Sequence, residues 1–497
     1  MKKICMIVLD GFGYSNNKLG NAVNLAPPIN FLELLKKYPH SSLHASGKYV
    51  GLDDDEAPTC KLSFLTLGAG RLIKRDNTIV SEFLDNPYVN NTYKTLIADA
   101  ESTGNALHVI GLLSNAKRVS NIEHFLKLLD SLKGKEINLY FHLISDGLDC
   151  EEKAIYTFIT TLENKIKEVG VGKITSITGR RFAMDNEGDY EKTKRFYDLI
   201  TKGIGFMGSS IPLIIQKCYQ EGITDQALPP IKTDNYEPIK ENDSILFLNY
   251  ENTFDIQILE SLTKNDFDNF KTQEDFNPYI YTLFPVPKIK TNYFLEKQKI
   301  NNNLGVYLSK LGLTQARIAE NYKFEHVTYY FDGESSSSLE GATKFNVPSR
   351  EESECVKNPE MSAVEITKKI TNAMKKDYDF ILADFANPDI LAHTGNLDAT
   401  IKGCVAVDLC LKMIKEEADD NFYTLVILGD HGNADQMLDE KGNPNRTHTT
   451  SDVPFIITDE KVTLEETGTI AQVAPTILKY MDIAIPKEMS ESGVIIK

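Results

Sequence analysis

Six apolar runs of strand length recur along the chain: ICMIVLD (residues 4–10), ALHVIGLLS (106–114), INLYFHLIS (137–145), SILFLNY (244–250), FILADF (380–385) and YTLVILGD (423–430). They are near-continuous rather than alternating, so each predicts a strand buried on both faces, as in a parallel sheet. Between them lie segments of helical period. NIEHFLKLLDSLKG (121–134) and ATIKGCVAVDLCLKMIKEEADD (399–420) repeat their apolar positions every three or four residues. Strands alternating with amphipathic helices predict the α/β class. No internal repeat or low-complexity tract interrupts the pattern. The most linker-like stretch is FPVPKIKTNYFLEKQKINNNLG (284–305), polar and with two prolines, and a second soft boundary falls at LIKRDNT (72–78).

Length adds that 497 residues suffice for two or more domains with real cores. The formal net charge of −17 argues against nucleic acid or an anionic membrane as a partner, and it makes any phosphate site depend on metal ions or a local basic cluster. The opening MKKICMIVLDGFG ends its short apolar run in Asp-Gly, which predicts a buried strand rather than a signal peptide. No run approaches the ~18 apolar residues of a membrane helix. The seven cysteines (5, 60, 150, 218, 355, 404 and 410) are scattered, without a CxxC pair, which predicts reduced thiols and a cytoplasmic location.

Three of the apolar runs end in, or soon reach, an aspartate. Asp10 follows ICMIVL, Asp430 follows YTLVILG with His431 next, and Asp389 lies just past FILADFANP. Ligand sites in open α/β sheets sit beyond the carboxyl ends of strands, so these acids are placed to converge. Asp389 and His393 are four apart, one face of a helix. The segment NRTHTTSDVPF supplies His448 from a loop. Three aspartates and three histidines suit Mn²⁺ or Zn²⁺ better than Mg²⁺ alone, and suffice for two ions. Cys60, in APTCKLSFLTLGAGR, stands open between nucleophile, metal ligand and small buried residue.

These segments carry a resemblance. IVLDGFG, NAVNLAPPINFLELLKKYPHSSLHASGKYVGL, LTLGAGR, GRRFAMD, LGLTQARIAENYKFEHVTYYFDG, PEMSAVEIT, DFILADFANPDILAHTGNLDATIKGCVAVD and GDHGNADQM with THTTSDVPF follow the order and spacing of the cofactor-independent phosphoglycerate mutases, members of the alkaline phosphatase superfamily. The chain resembles that family over nearly its whole length. The resemblance implies an alkaline-phosphatase-like core, residues 1–73 and 301–497, with a mainly parallel sheet and helices on both faces. It implies an inserted second α/β domain, residues 74–300, that closes over substrate. It implies two divalent metal ions, one held by Asp389, His393 and His448, the other by Asp10, Asp430, His431 and the nucleophile.

The departures cluster in the chemistry. The family's nucleophile motif reads Gly-Asn-Ser-Glu-Val-Gly-His before an end like LTLGAGR, and ungapped register puts Cys60 in the serine's place. Val119 stands at a substrate histidine, Leu148 at an arginine beside the retained Asp149, and Asn186 at a second substrate arginine while Arg180 is kept. Glu251 and Phe254 stand where the family has a pair of phosphate-binding arginines, and Lys323 is retained near the metals. The expectation is a divergent two-metal phosphoryl-transfer enzyme. Cys60 serves as nucleophile and ligand with Lys323 beside it, and Arg180 and Asp149 contact a small phosphorylated substrate other than 3- or 2-phosphoglycerate. A genuine phosphoglycerate mutase and an inactive binding relative are the alternatives, and a monomer is expected.

Overall fold

On the strand Lys3–Leu9, Ile4, Met6 and Val8 enter one apolar core, while Cys5, Ile7 and Leu9 enter another. A strand that buries both faces needs a sheet neighbour on each edge and helices above and below, and this one has them. The computed structural model describes residues 2–15, 18–54, 56–208, 211–264, 266–274, 276–439 and 441–496. The chain forms two compact units, Met1–Lys74 with Lys299–Lys497, and Arg75–Gln298.

The first unit holds an eight-stranded sheet. In spatial order its strands are Ala342–Val347, Gln315–Glu320, Phe380–Phe385, Lys3–Leu9, Tyr423–Gly429, Val453–Ile457, His40–His44 and Thr467–Thr469. The first five run parallel, with Ile4 to Leu9 in register with Phe380 to Phe385 and Lys3 to Leu9 with Tyr423 to Gly429. Val453–Ile457 is antiparallel to both of its neighbours. Helices Ala363–Lys375 and Leu397–Asp420 supply one core, and Cys60–Ala69 and Val473–Tyr480 the other.

The second unit repeats the logic with strands Asn292–Tyr293, Tyr279–Thr282, Ser244–Phe247, Leu107–Leu113, Leu139–Ser145, Lys173–Gly179, Ile231–Lys232 and Phe206–Met207. Only the Lys173–Gly179 and Ile231–Lys232 pair is antiparallel among its described pairs. All six apolar runs form strands, and both helical patterns form helices, Ile122–Ser131 and Leu397–Asp420. No helix among the described residues is long and apolar enough to cross a membrane.

Two inner strands buried along nearly their whole length give no apolar signal. Gln315–Glu320 reads QARIAE yet is buried throughout. Its Arg317 is fully enclosed and donates to Asp332 Oδ1 at 3.2 Å, Gln315 Oε1 at 2.7 Å and the Val327 carbonyl at 3.3 Å. Lys173–Gly179 reads KITSITG. Its Ser176 ends a buried chain of hydrogen bonds: Ser176 Oγ to His142 Nδ1 at 2.7 Å, His142 Nε2 to His108 Nδ1 at 2.9 Å, and His108 Nε2 to Asp243 Oδ2 at 3.3 Å. Buried polar groups persist where they are partnered, and here most of the partners come from outside the strand, Gln315 being the exception.

Candidate metal centre

The carboxyl ends of the first sheet bring together side chains from six segments. Asp10 follows Lys3–Leu9, Asp430 and His431 follow Tyr423–Gly429, and Asp389 and His393 lie on the short helix Asn387–His393 after Phe380–Phe385. Lys323 lies just after Gln315–Glu320, and His448 lies in the loop before Val453–Ile457. Cys60 is the first residue of Cys60–Ala69, whose preceding Thr59 caps the helix by accepting from the Leu62 N–H at 3.3 Å.

That helix is fixed by close packing. Its residues from Leu62 to Ala69 are all buried, and a Cβ at Gly68 would stand 2.0 Å from the Phe331 carbonyl oxygen. Gly68→Ala must therefore push helix or backbone aside and carry Cys60 with it. It is expected to lower unfolding free energy by about 1–3 kcal/mol, read as a shifted urea midpoint. An unchanged midpoint would mean that the helix seat is soft.

Cys60 Sγ lies 3.0 Å from His431 Nε2, 3.7 Å from Asp389 Oδ2, 3.8 Å from Asp10 Oδ1 and 4.0 Å from His448 Nε2. Lys323 Nζ lies 3.0 Å from the same sulfur, 2.8 Å from Asp10 Oδ2 and 2.7 Å from Asp389 Oδ2. Two ligand groups result, Asp10/Cys60/Asp430/His431 and Cys60/Asp389/His431/His448, the donor atoms of each lying within 4.8 Å of one another. The first contains the same four residues as one set implied by the resemblance. His393 lies outside the second group but close to it, its Nε2 3.1 Å from His448 Nε2 and 3.3 Å from Asp389 Oδ1.

The histidines are oriented from behind. His393 Nδ1 donates to the Arg446 carbonyl at 2.8 Å, His448 Nδ1 to the Pro58 carbonyl at 2.6 Å and His431 Nδ1 to the Gly432 carbonyl at 3.2 Å. A carbonyl only accepts, so each Nδ1 carries a proton and each Nε2 turns inward, the arrangement of metal-ligating imidazoles. The Nε2 atoms of His393 and His448 meet head to head, so one of them must hold a proton or both must face a cation. Asp430 Oδ2, fully buried, has no hydrogen-bond partner among the described residues. This donor set fits a divalent ion.

The electrostatics agree. Burial pushes the Asp10 carboxyl well above its ordinary range, helped by the charges of Asp430 and Cys60. Burial also raises Asp389, but Lys323, His393 and His448 outweigh it and hold that carboxyl well below. For Cys60, burial is overcome by His431 and Lys323, which bring the thiol down to about 6. For His448, burial is overcome by Asp389 and Cys60, which raise the imidazole to about 10. At pH 7 that imidazole is charged, and an ion taking its Nε2 must expel the proton. Loading is therefore expected to release acid, and affinity to rise up to about tenfold per pH unit for each displaced proton between pH 7 and 9. Calorimetry in buffers of different ionisation enthalpy counts those protons, and a count of zero contradicts the placement.

Arg180 and Asp149 lie in the second unit and pair with each other. Arg180 Nη1 donates to Asp146 Oδ1 and to Asp149 Oδ2, both at 2.6 Å, and Arg118 Nη1 donates to Asp149 Oδ1 at 2.8 Å. Phe254 holds its ring 5.8 Å from the Arg180 guanidinium carbon. Glu251 accepts from Thr253 N and Oγ1, capping its own turn, and Val119 is buried in a core. Sequence reasoning missed Asn433, which donates to Asp389 Oδ1 at 2.7 Å; its signal was its place two residues after His431. It also missed Asp146, although ISDGLD puts that acid at a strand exit, as for Asp10.

The chain matches the model of the metalloenzyme superfamily over residues 2–485. It is 34% identical over 507 aligned residues to the 2,3-bisphosphoglycerate-independent phosphoglycerate mutase of Clostridium beijerinckii, covering 100% of this chain and 99% of that one. To the enzyme of the same name from Gracilaria tenuistipitata var. liui it is 36% identical over 499 residues, covering 99% and 98%. Among solved structures it is similar to Leishmania mexicana phosphoglycerate mutase, crystallised at low cobalt concentration, with TM-score 0.64 and 25% identity over 99% of this chain and 97% of that one.

Proposed function

Because the chain belongs to the metalloenzyme superfamily and to the family of 2,3-bisphosphoglycerate-independent phosphoglycerate mutases, we propose that it transfers phosphoryl groups through Cys60, with two divalent ions, manganese or zinc. Asp389, His393 and His448 would hold one ion, and Asp10, Asp430, His431 and Cys60 the other. The ions would neutralise phosphoryl oxygens and hold them for in-line attack. Cys60 Sγ supplies the electron pair: a sulfur–phosphorus bond forms as the bond to the leaving oxygen breaks, and the leaving group takes up a proton. Lys323, 3.0 Å from that sulfur, balances charge on the transferring group. A hydroxyl or water then attacks phosphorus and the thiolate departs.

The observation that carries this is the Cys60 sulfur at the meeting point of both ligand groups. In the second unit Arg180 and Asp149 are proposed to contact substrate. Arg180 is already shared between two carboxylates, and Glu251 and Phe254 add no positive charge, so the substrate is proposed to be a phosphorylated small molecule less anionic than phosphoglycerate. The second reading, a genuine phosphoglycerate mutase, is favoured by the names of relatives that match end to end. A panel of phosphate esters assayed with Mn²⁺ and Zn²⁺ separates the two. Turnover of none of them would leave the inactive binding relative.

A thiolate ligand is softer than a hydroxyl and favours Zn²⁺ or Fe²⁺ over Mn²⁺. Cys60→Ser is expected to move the Zn²⁺/Mn²⁺ affinity ratio toward manganese by about tenfold or more, measured by competition titration. An unchanged ratio would remove Cys60 from the ligand set.

A further inference from the structure

Lys323 occupies atoms that the proposed ions need. Its ammonium lies against Asp10 Oδ2, Asp389 Oδ2 and Cys60 Sγ, and each of those three residues is a proposed ligand. A divalent cation and an ammonium repel, so loading the site must send Lys323 to another counter-ion.

One acid stands in reserve. Asp384, on the strand Phe380–Phe385, is in register with Val8, two residues before Asp10 on the adjacent strand. It is fully buried, and neither Oδ1 nor Oδ2 has a hydrogen-bond partner among the described residues. A buried carboxylate with both oxygens unmatched is costly and calls for an explanation. Among the charged groups, Lys323 acts on Asp384 most strongly, ahead of Asp430, Cys60 and Glu320, and Asp384 is in turn among the anions acting on Lys323. Glu320, at the end of the strand Gln315–Glu320, is also buried with both oxygens unmatched, and its charge too is felt by Asp384.

We propose that Asp384 is a positioning residue that receives the Lys323 ammonium when divalent ions enter the site. Lys323 leaves Asp10 and Asp389 free for coordination, and its charge stays beside Cys60 because Asp384 lies in the field of the same sulfur. Without Asp384 the ammonium is left with the ligands and with Glu320, which also feels its charge, and at the ligands it competes with the ions. Asp384 acts through Lys323 and touches no reacting atom. This inference rests on the two-ion reading above.

The test is a cycle of Mn²⁺ dissociation constants, by chelator competition, for the intact chain, Asp384→Asn, Lys323→Met and the double variant. Asp384→Asn is expected to weaken Mn²⁺ binding about tenfold or more. In the Lys323→Met background it should change affinity by less than about twofold, because the competing ammonium is gone. Glu320→Gln should leave affinity within about twofold. Metal-free Asp384→Asn should resist urea at least as well as the intact chain, since it removes a buried carboxyl that has no hydrogen-bond partner among the described residues and that burial pushes well above its ordinary range. Equal weakening in both lysine backgrounds, or none in either, overturns the proposal. A crystal structure of the Mn²⁺-loaded intact chain tests it without any variant: Lys323 Nζ within hydrogen-bond distance of Asp384 supports it, and Nζ elsewhere overturns it. If the intact chain binds no Mn²⁺, the two-ion reading fails and this one falls with it.

Discussion

Cys60→Ala is expected to lower phosphoryl transfer by about a thousandfold or more. The sulfur stands 3.0 Å from both His431 Nε2 and Lys323 Nζ. Those neighbours hold its thiol at about 6, so at pH 7 most of it is thiolate before any ion adds its charge. Alanine removes the attacking electron pair and a proposed ligand together. Cys60→Ser keeps an oxygen in place and is expected to lose less, because a bound ion can still ionise a hydroxyl. Single-turnover kinetics give the rates, and mass spectrometry of the peptide that contains Cys60 finds the phosphoryl adduct. Activity of Cys60→Ala within about tenfold of the intact chain would move the nucleophile elsewhere, with Thr59 the nearest candidate.

With 3-phosphoglycerate in an enolase-coupled assay, at saturating Mn²⁺ and separately Zn²⁺, the chain is expected to turn over at less than about 1 per second. A charge-assisted arginine–anion bond contributes on the order of 1.5–3 kcal/mol. Losing two or three such bonds therefore exceeds the ~1.4 kcal/mol that makes one factor of ten. Arg180 does not make up the difference, because Asp146 and Asp149 already hold its guanidinium. Installing Glu251→Arg with Phe254→Arg should raise kcat/KM for phosphoglycerate by about tenfold or more. Turnover of ~10–1,000 per second by the unaltered chain would establish the second reading, and would mean that Arg118, Lys117 or Arg181 carries the lost charge.

The parts of the fold that were legible in the sequence are those where burial and residue type agree. FILADF and YTLVILGD can only be inner strands, and Asp389 and Asp430 follow as strand-exit acids. QARIAE is equally buried but not legible, because the counter-charge that Arg317 needs is Asp332, fifteen residues on and brought close by the fold. KITSITG hid for the same reason: Ser176 is matched by His142 of a neighbouring strand. Within the site, the spacing of Asp389 and His393 marked one helical face. That His448 turns Nε2 toward Asp389 is a property of the loop and of the Pro58 carbonyl behind its ring. In the sequence Asp384 is indistinguishable from the apolar run FILADF that contains it. Its unmatched oxygens become visible once every neighbour has been placed, and local pattern cannot supply that.

The placement of Lys3–Leu9 at the middle of its sheet bears on how the chain is made. Its two sheet neighbours, Phe380–Phe385 and Tyr423–Gly429, leave the ribosome roughly 370 residues or more behind it, a delay of about 20 to 70 seconds at ordinary elongation rates. Within that interval the whole Arg75–Gln298 unit emerges and has the material for its own two cores. The strand ICMIVL meanwhile has no sheet to join and both faces apolar, the kind of segment that associates with other nascent chains. The central strand of this sheet therefore pairs only after both neighbours, far along the chain, have been made, and Asp10 cannot take its place in the site before Phe380–Phe385 and Tyr423–Gly429 are present.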